Sequence, residues 1–282
     1  MSQAGTALDV GELICVSKPY YALRDLVTTG PGMVEATVPV ERPPGREATP
    51  ITMAELGRHL AILGLCGAAT VNPVAGRHFY LAGDAMVEWL APPTSERPSE
   101  LHGRATTAFT SRRRTARAHT ELLDASGAVL AQVRIDYTVI SERTFEHLFP
   151  ADPPLVPTQV NPYRGDLPFP EVEVIDGRVE ADLLVEPDMC VGHFTDRPML
   201  PVAVAAGGLA TIGERLLRER AGTDDFTWSS TRMALQAQRL VRAGTKVTFV
   251  AKADPENEDR YLGEVLSDGE VVASGQMDAV IH

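Results

Sequence analysis

The chain has 282 residues, 44% hydrophobic but only 6% aromatic, with 38 acidic side chains against 26 basic ones and a net charge of −12. That length fits one large domain or two ordinary ones around an aliphatic core, and that charge argues against general nucleic-acid binding, which needs cationic surface to neutralise phosphates. Three widely spaced cysteines, Cys15, Cys66 and Cys190, make no CxxC pair, zinc spacing or disulfide framework, so a reducing cytoplasm is expected.

The N-terminal run MSQAGTALDVGELICV has no basic stretch followed by a long apolar one, so no export signal is expected. Nor does any apolar run reach the roughly 18 residues of a membrane span. VEATVPVERPP (34–44) predicts a strand and PITMAELGRHLAILGL (50–65) a helix. On that helix Glu55 and Arg58 share a face, and His59 lies one turn beyond Glu55. The basic run FTSRRRTARAH (109–119) falls at an expected hairpin tip. It reads either as a solvated turn or as a landing place for an acidic carrier protein or a pantetheine phosphate. TELLDASGAVLAQVRIDYTVI (120–140) alternates apolar and polar residues about a turn, as paired half-buried strands do.

Residues 150–170, PADPPLVPTQVNPYRGDLPFP, carry seven prolines. Proline removes donors and fixes φ, which predicts an extended linker. Beyond it the pattern returns. VEADLLVEPD (179–188) precedes PMLPVAVAAGGLATIGERLL (198–217), and LGEVLSDGEVVASGQMDAVI (262–281) matches 120–140, the two ending on Asp278 and Asp136. Aligning HLAILG with GLATIG sets Arg58 opposite Gly207 and His59 opposite Gly208. The chain thus divides into an N-terminal repeat (1–149), a linker (150–170) and a C-terminal repeat (171–282). Each repeat is a short strand, a central helix and a run of antiparallel strands, an α+β arrangement. Tandem copies suggest a fused dimer whose sheets pair across a pseudo-twofold axis.

The stretch GHFTDRPMLPV (192–202) and the small-residue helix after it resemble the FabA/FabZ family of 3-hydroxyacyl-thioester dehydratases. Its fingerprint is approximately HF-x-G-x-P-x-M-P-G, and His193, Phe194, Pro198 and Pro201 keep its register. QRLVRAGTKVTFVAKA (238–253) resembles the strand that follows the family's helix. The resemblance covers roughly residues 171–281 and extends to the first half through the internal repeat. It implies a double hotdog, in which each curved sheet wraps one helix. It also implies His193 as the catalytic base, with the family's acid position at Gly207 and its thioester-binding glycine at Val202. The acid position of the other half is Arg58, so the inherited pair lacks its second member.

His193 suits proton abstraction alpha to a thioester carbonyl, since imidazole titrates near neutral pH. A helix opening at Pro201 leaves its first amides, near Val202 and Ala203, free to polarise that carbonyl. Glu55 is the replacement acid, with Arg58 or His59 alternatively receiving or protonating the leaving hydroxyl. Gly207 and Gly208 suggest close approach of a sheet or ligand chain to the helix. Cys190 reads as a buried strand residue. No nucleotide, serine-hydrolase or zinc-protease motif is present. The expected activity is dehydration of a 3-hydroxyacyl thioester on coenzyme A or an acyl carrier protein, in fatty acid or polyketide synthesis, without metal or redox cofactor. The alternatives are a hotdog thioesterase using Glu55, or a subunit that binds acyl carriers without turnover. A second chain, identical or different, could complete the site.

Overall fold

Thr52 opens the first long helix, α1 (Met53–Val71), by accepting the Glu55 backbone N–H at 3.3 Å. The helix stops one residue before Asn72, whose extended backbone is what the following Pro73 requires. It starts at Met53 and not at 50, and ends at Val71, about a turn and a half beyond the predicted 65, because Cys66, Ala68 and their neighbours continue the buried face. The computed structural model describes residues 6–282 apart from 12, 44, 111–113, 152–160, 176 and 195.

Before α1 come β1 (Thr6–Ala7), β2 (Arg24–Gly30) and β3 (Met33–Pro39); after it come β4 (His78–Trp89), β5 (Glu100–Thr110), β6 (Thr115–Leu123), β7 (Val129–Ser141) and the short helix α2 (Glu142–Leu148). The second half repeats this with β8 (Glu173–Ile175), β9 (Arg178–Leu184), helix α3 (Val202–Ala221), β10 (Trp228–Ala237), β11 (Lys246–Asp254), β12 (Asn257–Ser267) and β13 (Glu270–Ile281). Three strands therefore precede α1 and two precede α3 within its half, not the expected one. α3 ends at Gly222, whose φ of 65° is the left-handed turn that lets its N–H reach back to Arg218 and Glu219 carbonyls.

All the described strands form one antiparallel sheet, ordered β1-β2-β3-β5-β6-β7-β4-β10-β13-β12-β11-β9-β8. The seam is β4 against β10, with Glu88 opposite Arg232 and Asp84 opposite Gln236. Read outward from that seam, the halves run β4-β7-β6-β5-β3-β2 and β10-β13-β12-β11-β9-β8, the same order. The aligned aspartates also occupy matching places. Asp136 takes Arg117 from the neighbouring strand at 2.6 Å and Asp278 takes Arg260 at 2.7 Å. α1 packs on β3, β5, β6 and β7, α3 on β9, β11, β12 and β13, and the two helices touch each other.

Glycine permits these close approaches. A Cβ on Gly208 would meet Phe249 Cε1 at 2.5 Å, and one on Gly207 would meet the Ala54 Cβ of α1 at 3.3 Å. Of the predicted linker, residues 152–160 lie outside the described residues, while Tyr163 beyond them is buried against the first half. The basic run does fall at the β5–β6 hairpin, although Ser111, Arg112 and Arg113 lie outside the described residues. Cys190 closes a short 3-10 turn (Pro187–Cys190), not a strand, and burial pushes its thiol up to about 12.

Candidate functional site

The loop between β3 and α1 turns back over the first turns of the helix. Its amides must find acceptors inside the protein, and Glu55 supplies them: Glu41 N–H donates to Oε1 at 2.5 Å and Arg42 N–H to Oε2 at 3.4 Å. Thr52 and Glu55 have the spacing of a capping box, yet the carboxylate is drawn to this loop. Glu55 is 3% exposed. Burial alone would raise its carboxyl, but hydrogen bonding to His59 and the Glu41 amide, with the nearby Arg58 charge, holds it below the usual carboxylate range.

Arg58 projects from the same face of α1. Its Nη2 pairs with Glu41 Oε2 and lies 3.1 Å from His59 Nε2. Its guanidinium sits 5.0 Å from the centre of the Tyr163 ring. Asn161 Nδ2 donates to Glu41 Oε1 at 3.0 Å, so the proline-rich stretch is itself tied onto this cluster. His59 is fully buried; burial lowers its pKa and the Arg58 charge adds to that, against the raising effect of both carboxylates. It is therefore neutral. Glu41, Glu55 and His59 place ligand atoms within 4.8 Å of one another, the spacing of a cation site. The Arg58 guanidinium already supplies positive charge there, contacting Glu41 and His59.

α3 opens differently from α1. Its N-cap, Pro201, provides no side-chain acceptor, and the Val204 and Ala205 amides both return to the Pro201 carbonyl. Val202 and Ala203 are left as the open amides of the helix start. α1, by contrast, has Thr52 on Glu55 N and the Glu47 carboxylate on Met53 N at 2.8 Å. The α1 start thus has two of its first amides held by side chains, and the α3 start has no side-chain cap.

Three cavities meet at the α3 start. One of about 40 Å³ is lined by Glu55, Arg58, Tyr163, Ala203 and Gly207, bringing together four of the sequence-predicted residues. An apolar one of about 60 Å³ runs between the two helices and the central strands, past Met53, Gly57, Ala206 and Leu235, and shares Ala203 with the first. The third, about 220 Å³, holds His193, Tyr20, Tyr137, Val202 and Arg239. His193 is therefore apart from Glu55, and among the described residues no carboxylate lines its cavity. Its Nδ1 is 2.9 Å from the Met199 carbonyl, and burial pushes it down to about 4 despite that hydrogen bond. His59 lies behind the small cavity and lines none of the three.

Sequence reasoning missed Glu41 and Glu47. Both lie in the connector ERPPGREAT, where proline and glycine hide any periodicity; the readable signal was the acid six residues before Met53, at the helix threshold.

No protein-family model and no curated protein matches the chain. Solved structures do. A hot dog-fold protein from Alicyclobacillus acidocaldarius is 12% identical over 91% of this chain and 95% of its own, with a TM-score of 0.56. This is the hotdog fold. An acyl-ACP thioesterase from Bacteroides thetaiotaomicron is 14% identical, covering 88% of this chain and 98% of its own, with a TM-score of 0.56. An acyl-CoA thioesterase II from Mycobacterium marinum is 14% identical, covering 92% and 96%, with a TM-score of 0.51. The hotdog resemblance drawn from 192–202 holds at the level of fold, whereas the dehydratase family is not specifically shown.

The expectation of dehydration is corrected. Most of the similar hotdog structures are described as thioesterases. The geometry agrees with the correction: His193 and Glu55 open onto separate cavities, and Gly207, at the inherited acid position, packs on Ala54.

Proposed function

We propose that the chain is a double-hotdog hydrolase of acyl thioesters, carried on coenzyme A or an acyl carrier protein. The observation that carries this reading is the pairing of Glu55, from one half, with the uncapped start of α3, from the other, across one small cavity. The apolar cavity beside it receives the acyl chain. Val202 and Ala203 amides donate to the thioester carbonyl oxygen as it becomes negative. Glu55, ionised at neutral pH, takes a proton from water; the water oxygen bonds to the carbonyl carbon. The C–S bond then breaks, the proton passes to the leaving sulfur, and free acid and thiol result. Gly207 keeps the cavity open, and Arg58 fixes Glu41 and with it the loop that holds Glu55. His59 closes the cluster on its buried side, and His193 takes no part in the hydrolytic step.

The test is thiol release from acyl-CoA and acyl-carrier thioesters of several lengths. Glu55→Gln retains an acceptor for the Glu41 amide but cannot take a proton, so its kcat falls by about 10²-fold or more. Turnover undiminished in Glu55→Gln would sink the reading.

A further inference from the structure

Hydrolysis of a thioester at the α3 start has to place an attacking water, an acyl chain and a thiol arm around one carbonyl carbon. On the hydrolase reading the Glu55 cavity holds the water and the apolar cavity the acyl chain. The His193 cavity, at about 220 Å³ the largest of the three, is left for the arm. It joins the apolar cavity along Tyr20, Ala61, Ala82 and Val202, which line both. Its other end lies where the seam stops. Beyond the last β4–β10 pair, Asp84 with Gln236, it is lined by Gly83, Ala237 and the exposed Arg239. An arm longer than the cavity thus has a way out to solvent.

Two polar atoms in this cavity have no partner among the described residues. His193 Nδ1 faces the Met199 carbonyl, which only accepts, so Nδ1 carries the ring hydrogen and Nε2 is a bare lone pair. Tyr20 is 6% exposed, and burial pushes its hydroxyl up to about 12, so it keeps its proton. The Tyr137 and Tyr163 hydroxyls donate to the Ala61 and Val191 carbonyls at 2.7 Å each, whereas that of Tyr20 meets no acceptor. The Tyr20 and His193 rings stand edge to face, 4.9 Å apart. A water-sized group reaches both unpaired atoms, unlike the enclosed nitrogens of Arg58, His59, Trp89 and Arg218. Buried polar groups are normally paired. Here Nε2 calls for a donor and the Tyr20 hydroxyl for an acceptor. No carboxylate among the described residues lines the cavity, so nothing there favours a cation. A saturated acyl chain offers neither group, whereas a secondary amide offers both without charge. We infer that this cavity binds the amide-bearing pantetheine arm of the substrate, with His193 Nε2 accepting an amide N–H and Tyr20 donating to an amide carbonyl. The inference rests on the hydrolase reading for where the thioester sits.

Tyr20→Phe removes only a hydroxyl that the fold does not use, and His193→Asn keeps a donor for the Met199 carbonyl while losing the Nε2 acceptor. Titration calorimetry with S-octyl-pantetheine, a thioether that cannot be hydrolysed, reads binding whether or not any thioester is cleaved. Octanoate, which lacks the arm, is the control. The thioether Kd should rise about tenfold in each variant, the worth of one hydrogen bond, with the octanoate Kd unchanged. Thioether Kd values that match wild type in both variants would overturn the inference. So would equal losses for thioether and octanoate, which would set the two side chains against the acyl chain. A loss for 3-hydroxyoctanoate alone would also overturn it, giving the pair to an acyl hydroxyl. Titrations with S-octyl-CoA and an S-octyl carrier protein separate the two sources of the arm, and a variant-dependent Kd for either supports the inference. The same shift in a chain that releases no thiol would sink the hydrolase reading and leave the place of the arm standing.

Discussion

Glu47 and His193 are two buried titratable groups whose surroundings act on them in opposite directions. Burial raises the Glu47 carboxyl from 4.5 to about 7, against the hydrogen bond from Met53 N–H and the nearby Arg97 and Arg42 charges. The folded chain thus holds this proton more tightly than the unfolded one. The stability it contributes is complete below pH 4.5 and is lost as pH rises through 7. His193 is lowered from 6.5 to about 4, so the unfolded chain binds its proton first and stability falls as pH drops from 6.5 towards 4. The two slopes oppose each other where they overlap. Glu47→Gln has no charge to bury and still accepts from Met53, so it should gain on wild type by up to about 3 kcal/mol between pH 4.5 and 7. Denaturant unfolding at pH 5 and pH 8 reads that difference directly; a gain that is the same at both would show that Glu47 does not titrate there. Glu55, held low, predicts a different profile: hydrolysis should stay flat through neutral pH and fall only below the ordinary carboxylate range.

The two long helices show why adjacent glycines in α3 are not equivalent. Replacing Gly208 by Ala gains about 1 kcal/mol of helix propensity but drives a Cβ to 2.5 Å from Phe249 and 2.8 Å from Leu167. Phe249 is fully buried and braced edge-on by Phe169, so it has nowhere to go. Overpacking of this kind costs about 1–3 kcal/mol, and Gly208→Ala should melt lower than wild type. Gly207→Ala meets only Ala54, at 3.3 Å, and should fold well while slowing turnover, because its methyl enters the cavity shared with Glu55. An unimpaired melt for Gly208→Ala would contradict the packing described.

Much at this scale was legible in the chain. The Asp268-Gly269 turn, with positive φ at both residues, is the two-residue hairpin that LSDGEVV announces. Pro201 marked the start of α3, and the closing aspartates marked a register that both halves keep. The site was only half legible. Glu55, Arg58, Ala203 and Gly207 converge because α1 and α3 pack against each other, whereas the repeat had suggested only that the two sheets pair. His193 was drawn to the same site by its motif, but its imidazole is anchored on Met199 and opens onto another cavity. Motif register fixes a backbone position, whereas the cavity a side chain enters is set by packing from distant segments. Tyr163 belongs to such a segment, closing the Glu55 cavity from within the proline-rich stretch, with its hydroxyl donating to the Val191 carbonyl at 2.7 Å.

Across the whole molecule, the halves are joined by more than the chain between them. The β4–β10 seam is flanked by contacts such as Arg46 with Glu214 at 2.9 Å and Arg197 Nε with the Phe149 carbonyl at 2.6 Å. A specific protease site placed between Asp152 and Val160 should, once cut, leave two fragments that co-elute as one species; separation on a sizing column would mean that the seam depends on the covalent link. That joined architecture matters because the proposed site takes its carboxylate from one half and its amides from the other. The most direct test follows the fate of the acyl group itself by mass spectrometry, with wild type, Glu55→Gln and His193→Ala each incubated with the same acyl thioesters. The account predicts free acid from wild type and from His193→Ala, and its near disappearance in Glu55→Gln. Acid that vanishes in His193→Ala, or persists in Glu55→Gln, would contradict it.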